Sequence, residues 1–237
     1  MKKIILRTVV CLIGVLCATN AYAYKFSAAN NDGKTIYYNI NKDGKTCEVT
    51  HNDRNSYAGV LYVPETVSYN GTTYKVTAIG KEAFRECKDL LLVVLPNTIR
   101  TIGVYAFLGC PRLKSMEFPE SVISIGKQAF ENCAGLTRVK FGKYLQNIET
   151  KAFYGCGYLA YLTFCSPTKI GIQAFDGCEK LVYIYCRTTV PPTITKPESA
   201  FMYNVYRTSI LFVPNDEQDN YANEAGWKFF RFVRTLK

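Results

Sequence analysis

The sequence predicts a repeat solenoid of the β-rich α/β class, and three observations predict it. The phrase Ile-Gly-x-x-Ala-Phe-x-x-Cys-x-x-Leu recurs at steps of 23, 23, 23 and 22 residues. Each copy is followed by a short alternation of inward apolar and outward residues, the period-2 signature of a half-buried strand. Both flanks depart from the phrase and carry turn and cap signals instead. A fixed period of about 20–50 residues marks units that cannot bury their apolar faces alone and must stack on one another.

The first element is an export signal. Residues 1–23 join a basic start, Lys2-Lys3, to an apolar run at 4–18 and the small-x-small ending Ala21-Tyr22-Ala23, which is the build of a secretory signal peptide. The run is too short for a transmembrane segment, which takes about 20 apolar residues. Cys17 follows the bulky Val15-Leu16, so no lipoprotein box is expected there. The mature chain, 24–237, is expected to be a single domain, secreted or at the cell surface. Processing takes the formal charge from +10 to +7 by removing Lys2, Lys3 and Arg7, and leaves eight of the ten cysteines.

Residues 24–77 are expected to form an antiparallel N-terminal β cap. Alternating runs at 36–40, 46–50 and 59–63 are separated by Asn31-Asp32-Gly33, Asp43-Gly44 and a loop at 51–58; Tyr69-Asn70-Gly71-Thr72 follows. Asp-Gly and Asn-Gly between such runs favour hairpins, because these residues tolerate φ > 0. The last cap strand should enter the solenoid at Val63-Pro64.

Five repeats then occupy 78–187. Their inward Phe residues are Phe84, Phe107, Phe130, Phe153 and Phe175, and their Cys residues are Cys87, Cys110, Cys133, Cys156 and Cys178. The Ala-Phe-x-x-Cys segment is too short for a stable isolated helix and is expected to form a helical or 3₁₀ turn. Pro96 and Pro119 close two strands, since Pro lacks the donor that a continuing ladder needs. Over 188–237, Pro191, Pro192 and Pro197 break the period. A strand at 209–214, then a short helix and closing strand within 219–233, should make a small C-terminal cap with Trp227 in its core.

The whole phrase, with its Leu-x-x-hydrophobic-x-hydrophobic-Pro strand, resembles the BspA-type leucine-rich repeat of bacterial surface proteins over roughly residues 60–213. The resemblance implies a right-handed solenoid with a parallel strand face. It also implies an adhesin-like role, with proteins of a host or a neighbouring cell as partners. The departures are Glu149 where Gly is usual, one residue missing before Ile170, and Cys186 at an apolar strand position.

Little in the chain suggests catalysis. One His, His51, excludes multi-His metal sites, and the 22- and 23-residue steps between ladder cysteines are not zinc spacings. A thiol in a packed column behaves as a small apolar residue, although neighbouring rungs lie within disulfide reach. Cys47, Cys165 and Cys186 stand outside the ladder, and Cys165–Cys186 on adjacent repeats is the first pair to test for a disulfide. Cys47 and His51, four apart, would lie ~13 Å apart in a strand, beyond a Cys–His pair's reach, and only a loop would bring them together. Phosphate loops, nucleophile elbows and His-Glu-x-x-His do not occur. The expectation is a non-enzyme without metal or cofactor. Nucleic acid is disfavoured because export removes the opportunity and the basic residues form no single run.

Function is expected on the strand face instead. Its outward pairs run Leu92/Val94, Ser115/Glu117, Arg138/Lys140, Tyr161/Thr163 and Tyr183/Tyr185, with Arg187 beyond. The candidate ligand-binding residues are Arg138, Lys140, Tyr161, Tyr183 and Tyr185, since Arg and Tyr are enriched at protein interfaces. A glycan-binding module with Tyr183 and Tyr185 as stacking platforms and a structural surface spacer are the alternatives.

Overall fold

The computed structural model describes residues 24–53 and 55–236; the expected export signal at 1–23 lies outside the described residues. The chain opens with an antiparallel meander of β1 (Phe26–Ala29), β2 (Thr35–Ile40) and β3 (Thr46–Thr50). Asp43 shapes the second turn by accepting the Lys45 and Thr46 backbone N–H groups at 2.9 Å each. These bonds favour the ionised form and hold its carboxyl below the usual range. After β4 (Gly59–Tyr62), β5 (Thr66–Tyr69) and β6 (Thr72–Ile79) form the second hairpin. Its turn uses the expected Asn-Gly, with φ of 48° at Asn70 and 77° at Gly71.

The antiparallel character of the cap ends there. β3 pairs with β6 in parallel, and β4 pairs in parallel with β7 (Leu90–Val94). Val49 thereby aligns with Ile79, and Leu61 with Val93. These two strands run with the solenoid because their inward residues fill the same columns as the repeats. The outer edge of β4 is covered by side chains: Asn30 Nδ2 donates to the Tyr62 carbonyl at 3.0 Å, and Lys34 Nζ donates to the Val60 and Ala58 carbonyls.

Each later turn carries one two-residue strand and one longer strand. They are β8 (Thr101–Ile102), β9 (Ser115–Glu117), β10 (Ser124–Ile125), β11 (Arg138–Lys140), β12 (Asn147–Ile148), β13 (Tyr161–Phe164), β14 (Lys169–Ile170), β15 (Tyr183–Cys186) and β16 (Thr193–Ile194). Then follow α1 (Tyr203–Thr208), β17 (Ile210–Val213), α2 (Gln218–Asn223) and β18 (Phe232–Thr235). The short strands continue β6 as a parallel series β8-β10-β12-β14-β16; the longer ones form a second parallel sheet, β9-β11-β13-β15-β17-β18.

Columns of identical side chains fill the space between these sheets. Phe84, Phe107, Phe130, Phe153 and Phe175 stack in sequence with centroids 4.6 to 5.3 Å apart. Tyr57 extends the column at one end, 4.9 Å from Phe84, and Phe201 at the other, 5.2 Å from Phe175. The stack therefore has seven aromatic rungs, reaching beyond 78–187 on both sides. Each fully buried Phe contributes roughly 1.5–3 kcal/mol, so this column is a major source of cohesion.

The Ala-Phe-x-x-Cys segment is not the expected helical or 3₁₀ turn. Two tandem turns replace it, each with a left-handed residue at its third position. The first is closed by Ala83 N–H to the Gly80 carbonyl at 3.3 Å, the second by Cys87 N–H to the Phe84 carbonyl at 3.2 Å. Glu82, Tyr105, Gln128, Lys151 and Gln173 hold φ of 55–59° in the first turn. Glu86, Gly109, Asn132, Gly155 and Gly177 hold 57–76° in the second. A helix would direct its N–H groups along its own axis, whereas stacking needs some of them aimed at the next rung. Phe84 and Phe107 make such bonds, to the Ala106 and Ala129 carbonyls at 2.7 and 2.6 Å.

The C-terminal cap is aromatic. Trp227 is buried, donates Nε1–H to the Pro192 carbonyl, and meets Phe164, Phe201, Tyr221 and Phe230 within 6.0 Å. This is the core position expected for it.

Candidate functional site

The parallel register carries the candidate residues onto one surface. Arg138, Tyr161 and Tyr183 are paired in turn across β11, β13 and β15, and Lys140, Thr163 and Tyr185 form the adjoining column. Their neighbours in each strand (Val139, Leu162 and Ile184) are fully buried, so the candidates face outward by the alternation of the pleat. All five lie on this face. The Arg138 guanidinium lies 4.6 Å from the Tyr161 ring centre, and Tyr161 stacks on Tyr183 at 5.3 Å. Lys140 is tied to Glu117 on the preceding strand. Its exposed ammonium is held above its ordinary pKa by the Glu117 hydrogen bond and then by the Glu117 charge.

The face extends beyond Tyr185. Ile210 and Phe212 continue the two columns on β17, and Phe232 and Arg234 continue them on β18. Phe212 stacks on Tyr185 at 4.8 Å and 10°. The strand at 209–214 was legible, but no Ile-Gly-x-x-Ala-Phe phrase at the usual spacing precedes it. Nothing in the sequence therefore aligned Phe212 with Tyr185.

The thiols form an internal system. All eight cysteines of the described chain are free. Those of four successive rungs donate to a Phe carbonyl of the rung before: Cys110 to Phe84, Cys133 to Phe107, Cys156 to Phe130 and Cys178 to Phe153, at 2.9 to 3.4 Å. Cys165 and Cys186, the pair singled out for a disulfide test, are not bonded to each other. Cys186 sits opposite Phe164 and points inward, whereas Cys165 falls on the alternate side of the strand and is half-buried. Cys47 is buried, and burial first, then the charges of Glu48 and Asp43, push its thiol up to about 12. A nucleophilic thiol needs the opposite shift. A thiol-reactive reagent added to the native protein should label Cys165 alone, with the other seven reacting only after denaturation. Equally rapid native labelling at Cys110 or Cys133 would contradict the ladder.

Among the described residues no three His, Cys, Asp or Glu side chains gather as a metal site, and no helix is long and apolar enough to cross a membrane.

Comparison with known proteins agrees with the architecture. A T. pallidum leucine-rich repeat protein of known structure is 24% identical over 75% of this chain and 83% of its own, with a TM-score of 0.57, and shares the fold. A leucine-rich cell surface protein from Faecalibacterium prausnitzii A2-165 is 19% identical over 81% of this chain and 65% of its own, with a TM-score of 0.42. A leucine-rich repeat protein from Bacteroides capillosus is 26% identical over 65% of this chain and 94% of its own, also at 0.42. Curated proteins contain no match to the chain. Six copies of the BspA type leucine rich repeat region match residues 70–215. With its Ile, Phe and Cys columns repeated rung upon rung, the chain belongs to the BspA-type leucine-rich repeat family.

Proposed function

We propose that the mature chain is an exported, non-enzymatic protein-binding module, adhesin-like at the bacterial cell surface, that holds a protein of a host or a neighbouring cell. Its contact surface is the strand face carrying Arg138, Lys140, Tyr161, Tyr183 and Tyr185. The observation that supports this most is the outward ladder in which Arg138 covers Tyr161, Tyr161 stacks on Tyr183, and Tyr185 stacks on Phe212. Tyr and Arg concentrate binding energy at protein interfaces. Rings already fixed by their neighbours lose little rotamer freedom when a partner arrives. The same stacking weighs against a glycan, because a ring paired face to face leaves less open face for a sugar.

Affinity capture from surface proteins of candidate host cells, with residues 24–237 as bait, tests the reading. Tyr183→Ala and Arg138→Glu should each weaken binding of the captured protein about tenfold or more, roughly 1.4 kcal/mol, with the thermal midpoint unchanged. Undiminished capture by both variants would move the contact elsewhere. Capture abolished by deglycosylating the prey would transfer the role to a glycan.

A further inference from the structure

The outward columns of β11, β13, β15, β17 and β18 contain ten positions: Arg138, Lys140, Tyr161, Thr163, Tyr183, Tyr185, Ile210, Phe212, Phe232 and Arg234. Their order is not random. Of these five strands, β13, β15 and β17 carry aromatic or aliphatic side chains with one Thr, and cations stand on β11 and β18. None of the ten is acidic. Glu117, the outward carboxylate of β9 beside Lys140, is already paired with Lys140, and exposed Arg187 adds a further positive charge close to Lys140. The surface thus has an apolar centre and a cationic rim at each end, the layout of a protein interface whose charged rim selects the partner.

From this layout, and resting on the strand face being the contact surface, we propose that the partner is a protein segment with an apolar centre and carboxylates at both ends. The spacing of those carboxylates follows from the sheet. Arg138 and Arg234 are four strand steps and one column apart, about 20 Å. An α-helix covers that distance in about 13 residues, and an extended segment in about six. Carboxylates at such a separation would meet Arg138 at one end and Arg234 at the other, with apolar side chains over Tyr183, Tyr185 and Phe212 between them.

A phage-displayed library of random 20-residue peptides, selected on residues 24–237, tests this. Wild type should enrich peptides with Asp or Glu on either side of an aromatic or aliphatic centre. Synthesised winners should bind about tenfold or more weakly to Phe212→Ser, and their affinity should fall with added salt. The double variant Arg138→Glu/Arg234→Glu should instead enrich Lys- or Arg-flanked peptides, a gain that misfolding cannot imitate. Selection without acidic bias, or an acidic bias unchanged by the double variant, would overturn the proposal. So would an empty selection with salt-sensitive binding of heparin in its place, which would identify a sulfated glycan. If the acidic bias fails while capture still depends on Tyr183, the face is right and the partner chemistry wrong; if both fail, the face itself is wrong.

Discussion

Phe130→Ala is expected to destabilise the chain by ~3–5 kcal/mol. The ring lies between Phe107 at 4.6 Å and 9° and Phe153 at 4.9 Å and 2°, and takes an edge contact from Phe118 at 5.6 Å. Truncation leaves a void that the surroundings cannot close. The Phe130 N–H is bonded to the Ala152 carbonyl at 2.6 Å and the Phe107 N–H to the Ala129 carbonyl at 2.6 Å, which fixes the spacing of the rungs. Stability in a repeat array is close to a sum of rung and neighbour contributions. A central lesion therefore breaks two stacking contacts, whereas Phe201 lies at the end of the column. Guanidinium unfolding, followed by circular dichroism, measures the difference. A loss below about 1 kcal/mol, the size of an average substitution, would mean that the column is not what holds the rungs together.

The chain is also expected to be unusually sensitive to alkali. Burial pushes the thiols of Cys47 and Cys87 up to about 12, and burial also raises those of Cys156, Cys178 and Cys186. At Cys110 the leading cause is a hydrogen bond with Cys133, with burial second. The folded chain keeps these protons after the unfolded chain has released them, from pH ~8.5 upward. Stability from this source is therefore complete below that pH. It falls as pH rises, until the folded thiols themselves ionise. Each such thiol removes ~1.4 kcal/mol per pH unit in that window, so six together remove roughly 8 kcal/mol per unit. A typical margin of about 5–15 kcal/mol would be exhausted within one to two units. Unfolding monitored by tryptophan fluorescence should show a midpoint between about pH 9 and 10.5, moved upward by Cys110→Ala if that variant stays folded. A native signal that persists above pH ~12 would refute the account.

Much of this architecture was legible because repetition turns weak local signals into a strong periodic one. Single Phe or Cys residues carry little information, but Phe107, Phe130 and Phe153 at a fixed step dictate a column. At both ends of the column the period is disguised. Tyr57 takes a Phe place without the phrase around it. Ala200-Phe201 sits six residues after Ile194, where the other rungs place Ala four residues after Ile. The tandem turns were hidden for another reason: Glu82, Tyr105 and Lys151 adopt left-handed φ, which single residues of those types rarely signal. The candidate face was readable as far as Tyr185, because strand alternation gives direction. Its continuation through Phe212, Phe232 and Arg234 depended on a three-dimensional register that crosses α1 and α2.

The side chains of Asn30 and Lys34 on the outer edge of β4 bear on how such molecules remain apart. A solenoid ends in raw strand edges that could template growth, and rung-upon-rung addition is the geometry of a fibril. By occupying the carbonyls of Ala58, Val60 and Tyr62, these two residues act as a stopper at one end of the strand-face stack. Concatenation in which the edge of one copy continues the sheet of another is thereby denied its docking site. At that edge the carbonyls that rung-upon-rung growth would need are already taken.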